Sequence, residues 1–327
     1  MKTPTLIHAD TGQDDAVAIL LALATTRPIG IVGSFGNCTL DDATRNCLDL
    51  LALAGRHDVP VARGAAGPLH GEAPPPSPIH GPNGLGDTPL PAAENEPASV
   101  DGAEFTRDCI EGSDEPITVV SLGPLTVLAE SLQRYPNIAD RIERICIMGG
   151  SASFGNVTPV AEFNVHADPE AAAIVFGCGA EIRMVGLNIT RFVSLGAPDL
   201  ERLRSGGGPV GDWLARMLTT RGRRLQEILG VDSLSIHDPC AVLAATQPEL
   251  FTWRKTAVRV ETAGEYTRGM TVCDLRPGSG IRESILFEST VASNTEVAID
   301  ARYDEVSREI VDTLVTYFGR GDEGSST

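Results

Sequence analysis

Apolar residues recur along the chain in two alternating rhythms. Short apolar runs at 5–9, 30–35, 59–62, 117–122, 144–148 and 181–187 read as strands buried on both faces. Between them stand runs with helical character. Residues 16–24 are apolar on every side and predict a buried helix. Thr39, followed three positions later by Asp42, resembles a capping box opening a helix that runs to Leu53. Further on, 256–261 and 270–273 predict antiparallel strands, and 303–318 predicts an amphipathic terminal helix. This alternation predicts an α/β fold with a mostly parallel central sheet, helices on both faces, and a ligand site at the C-terminal rim of the strands.

Residues 64–99 break the rhythm. They carry Pro74, Pro75, Pro76 and Pro78 with no sustained periodicity, so they predict a long loop. Loops of this length inside a compact domain are commonly functional, which makes this one a lid candidate. No repeat or composition shift marks a boundary, so one domain is expected over 1–318 with a frayed tail at 319–327.

Composition is that of an ordinary globular protein, with 42% hydrophobic and 21% charged residues. The net charge of −18 argues against nucleic acid as a partner, since polyanion binding needs clustered Lys and Arg. A small neutral sugar derivative suits that charge better. The seven cysteines are scattered and never form a CxxC pair, which suggests reduced thiols. With no signal-like segment and no long apolar run, no membrane association is expected and the cytoplasm is the default location.

The segment HADTGQDDAVA, residues 8–18, sets Asp10, Asp14 and Asp15 at the junction of the first strand and first helix. Three carboxylates so close repel one another unless a cation, a proton or donors compensate, and hard cations prefer oxygen ligands. Helix capping accounts for one Asp, or two, whereas a metal accounts for all three. Gly12 fits the same picture as a residue free to take positive φ, turning Asp10 back over the helix end. The DxDx[TV] pattern of haloacid-dehalogenase-type phosphatases is not matched, because Thr11 and Gly12 follow Asp10.

GPLT, residues 123–126, follows a strand, so one of its carbonyls could complete a metal shell beside Asp10; a plain strand-to-helix turn explains it equally well. In residues 147–172, Asn156, Glu162 and Asn164 are polar groups suited to sugar hydroxyls, while Asp168 before Pro169 reads as a helix N-cap. His237 and Asp238 precede another helix start at Pro239; taken alone, Asp238 is a cap and His237 a structural histidine. All these clusters fall at strand ends, and independent caps have no reason to share one rim.

With these residues in view, the chain resembles the inosine-uridine type nucleoside hydrolase family from about Thr5 to Asp274. The likeness is carried by DTGQDDAVA, FGN ending at Asn37, HGPNGLG from His80, GPLT, MGG, GNVTPVAEFN, ADPEAA, HDP and TRGMTVCD, in that order. It implies a single Rossmann-like domain, usually a homodimer or homotetramer, with one Ca²⁺ at the strand rim. By matched positions, Asp10, Asp15, Asp238 and the backbone carbonyl of Thr126 are the implied calcium ligands. Asp14, Asn37, Glu162 and Asn164 would hold the ribose hydroxyls and Asn156 the 5′ end. Met148 would pack beneath the sugar, with His80 and His237 near the base. The implied reaction is hydrolysis of a ribonucleoside to ribose and free base, with Asp10 as general base and His237 helping the base depart.

The chain departs from the family in places. His8 and Thr11 stand where Asp and Pro are usual, Val127 where Asn is common after GPLT, and residues 219–230 lack the aromatic that relatives often offer the base. These departures leave base preference open and motivate a second reading, a hydrolase of a modified N-riboside. A non-catalytic ribose- or nucleoside-binding protein is a third, disfavoured because all four acidic positions remain; a phosphoester hydrolase is a distant fourth.

Overall fold

A computed structural model describes residues 2–76, 78–276, 293 and 295–320. The strands are β1 (Pro4–Ala9), β2 (Arg27–Gly33), β3 (Val61–Arg63), β4 (Ile117–Ser121), β5 (Ile142–Met148), β6 (Ile182–Val185), β7 (Ser194–Leu195), β8 (Leu234–Ser235), β9 (Phe251–Thr256), β10 (Val258–Val260), β11 (Thr271–Cys273) and β12 (Thr295–Ala301). The α-helices are α1 (Gln13–Thr25), α2 (Leu40–Leu53), α3 (Gly102–Glu111), α4 (Thr126–Arg134), α5 (Phe163–Ala167), α6 (Pro169–Phe176), α7 (Leu187–Thr190), α8 (Ala197–Gly206), α9 (Gly208–Leu229), α10 (Pro239–Thr246) and α11 (Tyr303–Phe318).

Eight strands form the central sheet in the order β3-β2-β1-β4-β5-β6-β12-β9. Every pairing is parallel except β12 with β9. The predicted ribbon of β10 and β11 is antiparallel but stands apart from this sheet. Each face of the sheet carries its own core. One is built with α1, α2, α9, α10 and α11, the other with α3, α4 and α6.

Helix α1 is buried from Gln13 to Leu23 because helices surround it on the side away from the sheet, which explains its lack of a polar stripe. The cap of α2 is as expected: Thr39 accepts the Asp42 N–H at 3.2 Å. The order of strands reverses between β1 and β4, where the chain first runs outward to β3 and then returns to build the other half. That crevice, at the carboxyl ends of the strands, is where open parallel sheets place ligands.

Residues 64–99 form no helix or strand among the described residues, yet they are tied to the body at several points. Asp168 accepts the Leu69 N–H at 2.8 Å, Asn46 donates to the Asn83 carbonyl at 2.7 Å, the Trp213 indole to that of Pro89 at 2.9 Å, and Asp49 accepts from Ala93 N–H at 2.8 Å. Helix α11 ends at Phe318 as the pattern implies; most of the expected tail, 321–327, lies outside the described residues. All seven cysteines are free thiols.

Candidate active site and metal centre

A cavity of about 550 Å³ opens at this crevice and is lined by Asp14, Asn37, His80, Met148, Asn156, Glu162, Asn164, His237 and Asp238. Its size falls within the ordinary span of small-molecule sites. All seven residues expected to hold substrate therefore meet there, although they come from five separate stretches of chain.

Asp14 and Asp238 line the cavity, with Asp10 and Asp15 fully buried behind them. Asp10 opens the turn after β1, and its Oδ2 accepts the Asn37 N–H at 2.6 Å. Asp15 accepts from Gly12 N–H at 2.9 Å and from the Asn37 amide at 3.1 Å. Its side chain also touches those of Asp10 and Asp238. Asp238 stands at the N-cap of α10 but makes no side-chain cap bond, so the reading of it as a mere cap falls away. Asp14, Asp15 and Asp238 present carboxylate oxygens within 4.8 Å of one another.

This crowding has an electrostatic cost. Burial, then repulsion from neighbouring acids, raises the proton affinity of Asp10, Asp15 and Asp238 above the ordinary carboxylate value. Asp14 differs: burial pushes it up, but Arg221 and then His80 and His237 more than offset that and hold it below the usual range. Oδ1 of Asp10 and Oδ1 of Asp15 are buried and accept no hydrogen bond. Two orphaned carboxylate oxygens among crowded acids are what a cation site looks like, and the all-oxygen donor set fits a hard divalent ion.

The groups expected to face the sugar are equally fixed. Glu162 caps α5, accepting from Asn164 N–H at 3.0 Å and Gly150 N–H at 2.7 Å. Burial raises its pKa to about 7 despite those backbone donors. Asn164 donates to the carbonyls of Leu122 at 2.7 Å and Met148 at 2.9 Å, stitching the ends of β4 and β5 together. His80 accepts the Gln13 N–H on Nδ1 at 3.1 Å, which leaves its proton on Nε2. Burial lowers the pKa of both His80 and His237 to about 4; Nδ1 of His237 meets the Thr190 hydroxyl at 2.9 Å.

Two expectations need correcting. Gly12 has φ of −89°, which any residue can adopt. What requires glycine there is space, because a Cβ would lie 2.6 Å from His80 Nδ1 and 2.9 Å from the Asn37 amide nitrogen. Thr126 does not line the cavity; it opens α4, and its hydroxyl donates to Asp168 at 2.7 Å. The residue of that turn which lines the cavity is Leu122, and the next one, Gly123, lies so close that a Cβ would stand 2.7 Å from Asp10 Oδ1. Asp168 is structural, as expected: it also accepts from Ala171 N–H at 3.0 Å at the start of α6.

Sequence reasoning missed Arg221, Arg191 and Phe192, which line the cavity with Leu225, Leu229 and Val231. An Arg within the amphipathic α9 gives no sign in sequence that it turns inward.

This arrangement meets its relatives in both sequence and shape. The family model described as inosine-uridine preferring nucleoside hydrolase matches residues 5–308. The chain belongs to that family. Pyrimidine-specific ribonucleoside hydrolase RihA of Citrobacter koseri is 42% identical over 277 residues, covering 84% of this chain and 89% of its own. Among solved structures, the plant nucleoside hydrolase PpNRh1 superposes with a TM-score of 0.88 at 32% identity, over 96% of this chain and 99% of its own. The purine-preferring ribonucleoside hydrolase from Gardnerella vaginalis gives 0.88 at 28%, over 97% and 99%. The protein is thus an N-glycosidase of the nucleoside hydrolase type, with an acidic cluster that could hold a metal ion.

Proposed function

We propose that the protein is a calcium-dependent ribonucleoside hydrolase that prefers pyrimidine nucleosides. The carrying observation is the meeting, at one cavity, of four buried carboxylates with Asn37, Glu162 and Asn164, a set able to hold both a hard cation and the hydroxyls of ribose. The pyrimidine preference draws on the name of the 42% identical relative and on the contribution of Leu225 and Leu229, rather than an aromatic, from residues 219–230.

Asp10, Asp15 and Asp238 would hold the cation, and the backbone oxygen of Leu122 takes the place first assigned to Thr126. When bound, the ion supplies positive charge that acidifies water and engages sugar hydroxyls. Asp14, Asn37, Glu162 and Asn164 orient the ribose, with Met148 beneath it and Asn156 at its 5′ end. Asp10 takes a proton from the attacking water as the bond from C1′ to the base nitrogen breaks. The electron pair of that bond leaves with the base, and negative charge on the surrounding acids favours cationic character at C1′. His80 and His237 are uncharged at neutral pH and serve the base by hydrogen bonding.

The homodimer or homotetramer and the cytoplasmic setting belong to the same reading, supported by the family likeness and by the free thiols. Release of ribose from uridine, cytidine, inosine and adenosine, with and without chelator, tests it. Chelator-sensitive release that is faster from uridine and cytidine is expected. Purine preference would overturn the base assignment, and unchanged turnover in chelator would overturn the metal dependence. A modified riboside remains the second reading because residues 219–230 offer the base no aromatic partner; silence on all four nucleosides by a calcium-loaded protein would favour it.

A further inference from the structure

Arg221 has no role in the reaction as described above. It belongs to a helix with a solvated face, yet it is only 3% exposed and lines the cavity. Its Nη2 donates to Asp14 Oδ2 at 3.2 Å and its Nη1 lies 3.0 Å from Asp14 Oδ1 as an ion pair. Neither Nε nor Nη1 finds a hydrogen-bond partner. A buried guanidinium with a donor left over is poor value for stability, because desolvation of the pair is incompletely offset. Its retention calls for a different reason.

Asp14 supplies one. Its oxygens lie among those of Asp15 and Asp238 within 4.8 Å, near enough to be drawn onto a cation as a further carboxylate ligand. The nearest other partner is His80, whose Nδ1 is 4.0 Å from Asp14 Oδ1 and already accepts from Gln13. Among the described residues, the guanidinium is the charged group held most closely to Asp14, by one hydrogen bond and one ion-pair contact.

We propose that Arg221 is a positioning residue that divides the buried carboxylates by task, holding Asp14 off the cation so that it stays an acceptor for a ribose hydroxyl while Asp10, Asp15 and Asp238 serve the metal. The inference rests on the metal-assisted reading above. Four carboxylates set against a divalent ion and one guanidinium leave one negative charge in excess, the sign that favours cationic character at C1′. Arginine suits the task because it keeps its charge when buried and its planar fork matches a carboxylate at two points, where lysine offers one.

Calcium titrated calorimetrically into the metal-free protein, without substrate, provides the test. R221Q frees Asp14 and should tighten Ca²⁺ binding by about tenfold, the scale on which groups supporting a metal's ligands act. In the same background D15N should cost less affinity than it does alone, because Asp14 replaces the lost ligand. D14N/R221Q, which removes both charges of the contacting pair together, should bind Ca²⁺ within about threefold of the original protein, since the local net charge is unchanged and neither group is a ligand. With uridine, R221Q should raise KM more than it lowers kcat, and R221K should restore part of the loss. Additive effects of R221Q and D15N would overturn the inference, because plain charge removal would then suffice. A tenfold or greater weakening in D14N/R221Q would overturn it too, by making Asp14 a ligand already. Should R221Q alone not fold, the D14N/R221Q protein still decides. If the unaltered protein binds no divalent ion, the metal-assisted reading itself fails and this inference falls with it.

Discussion

Asp10 and Gly36 show how closely single residues are specified at this site. Asp10 is fully buried, holds the Asn37 N–H on one oxygen and offers the other to no protein donor. D10N should lower kcat by about 10²- to 10⁴-fold, the usual worth of a general base. Ribose release measures that loss. Thermal denaturation of metal-free D10N should show no loss of stability, because a repelling charge has gone from among the acids; a large fall would mark Asp10 as structural. Gly36 has φ of +150°, and an added Cβ would run into Asp10 Oδ2. G36A should therefore displace Asn37 along with Asp10, abolishing turnover while destabilising the fold by about 1–3 kcal/mol. Activity that survives in G36A would show that the turn can shift without moving the acids.

At the scale of elements, Asp168 is a joint. It caps α6 through Ala171 N–H, takes the Thr126 hydroxyl at the start of α4 and anchors the long loop through Leu69 N–H. D168A should cost about 2–4 kcal/mol in urea denaturation, combining a lost cap with buried donors left unmet. Turnover at saturating substrate should change little, because Asp168 does not line the cavity and the loop that carries His80 keeps its fastenings at Asn83, Pro89 and Ala93. The long loop itself is a strap fastened at Leu69, Asn83, Pro89 and Ala93, and those fastenings hold His80 at the cavity wall.

The whole molecule titrates through this site. Glu162, raised to about 7 by burial, keeps in the folded state a proton that the unfolded chain gives up near 4.5. A carboxyl raised on folding contributes stability that is complete below its unfolded pKa and is lost as pH rises through its folded one. Asp10, Asp15 and Asp238 are displaced in the same direction. The buried His8, His80 and His237, lowered to about 4 from 6.5, act oppositely, but their effect fades above about pH 7 as the imidazoles of the unfolded chain also become neutral. Between about pH 7 and 8 the carboxyls therefore prevail, and the metal-free protein should melt at lower temperature as pH rises. E162Q should flatten that slope, and added Ca²⁺ should raise the melting temperature most at the alkaline end, where it displaces fewest protons. A metal-free melting temperature that climbs across this window would contradict the assignment.

The run of buried strands, the capped α2 and the terminal α11 were legible in sequence because each depends on local periodicity and nearby residues. The cluster of acids was legible too, since Asp14 and Asp15 adjoin and Asp10 precedes them by one turn of chain. Strand β12 was not, because its alternating pattern reflects pairing with β9 and β6, which lie far away in sequence. Nor could sequence decide that Leu122 rather than Thr126 lines the cavity, because that depends on where β4 ends and α4 begins. The inward turn of Arg221 lay further out of reach, since an arginine on an amphipathic helix points to solvent unless a partner such as Asp14, 207 positions away, is folded against it. Sequence alone determined which chemical groups are present and which local elements they end; the tertiary structure decided which of them meet, because burial and charge pairing are set by contacts between distant segments.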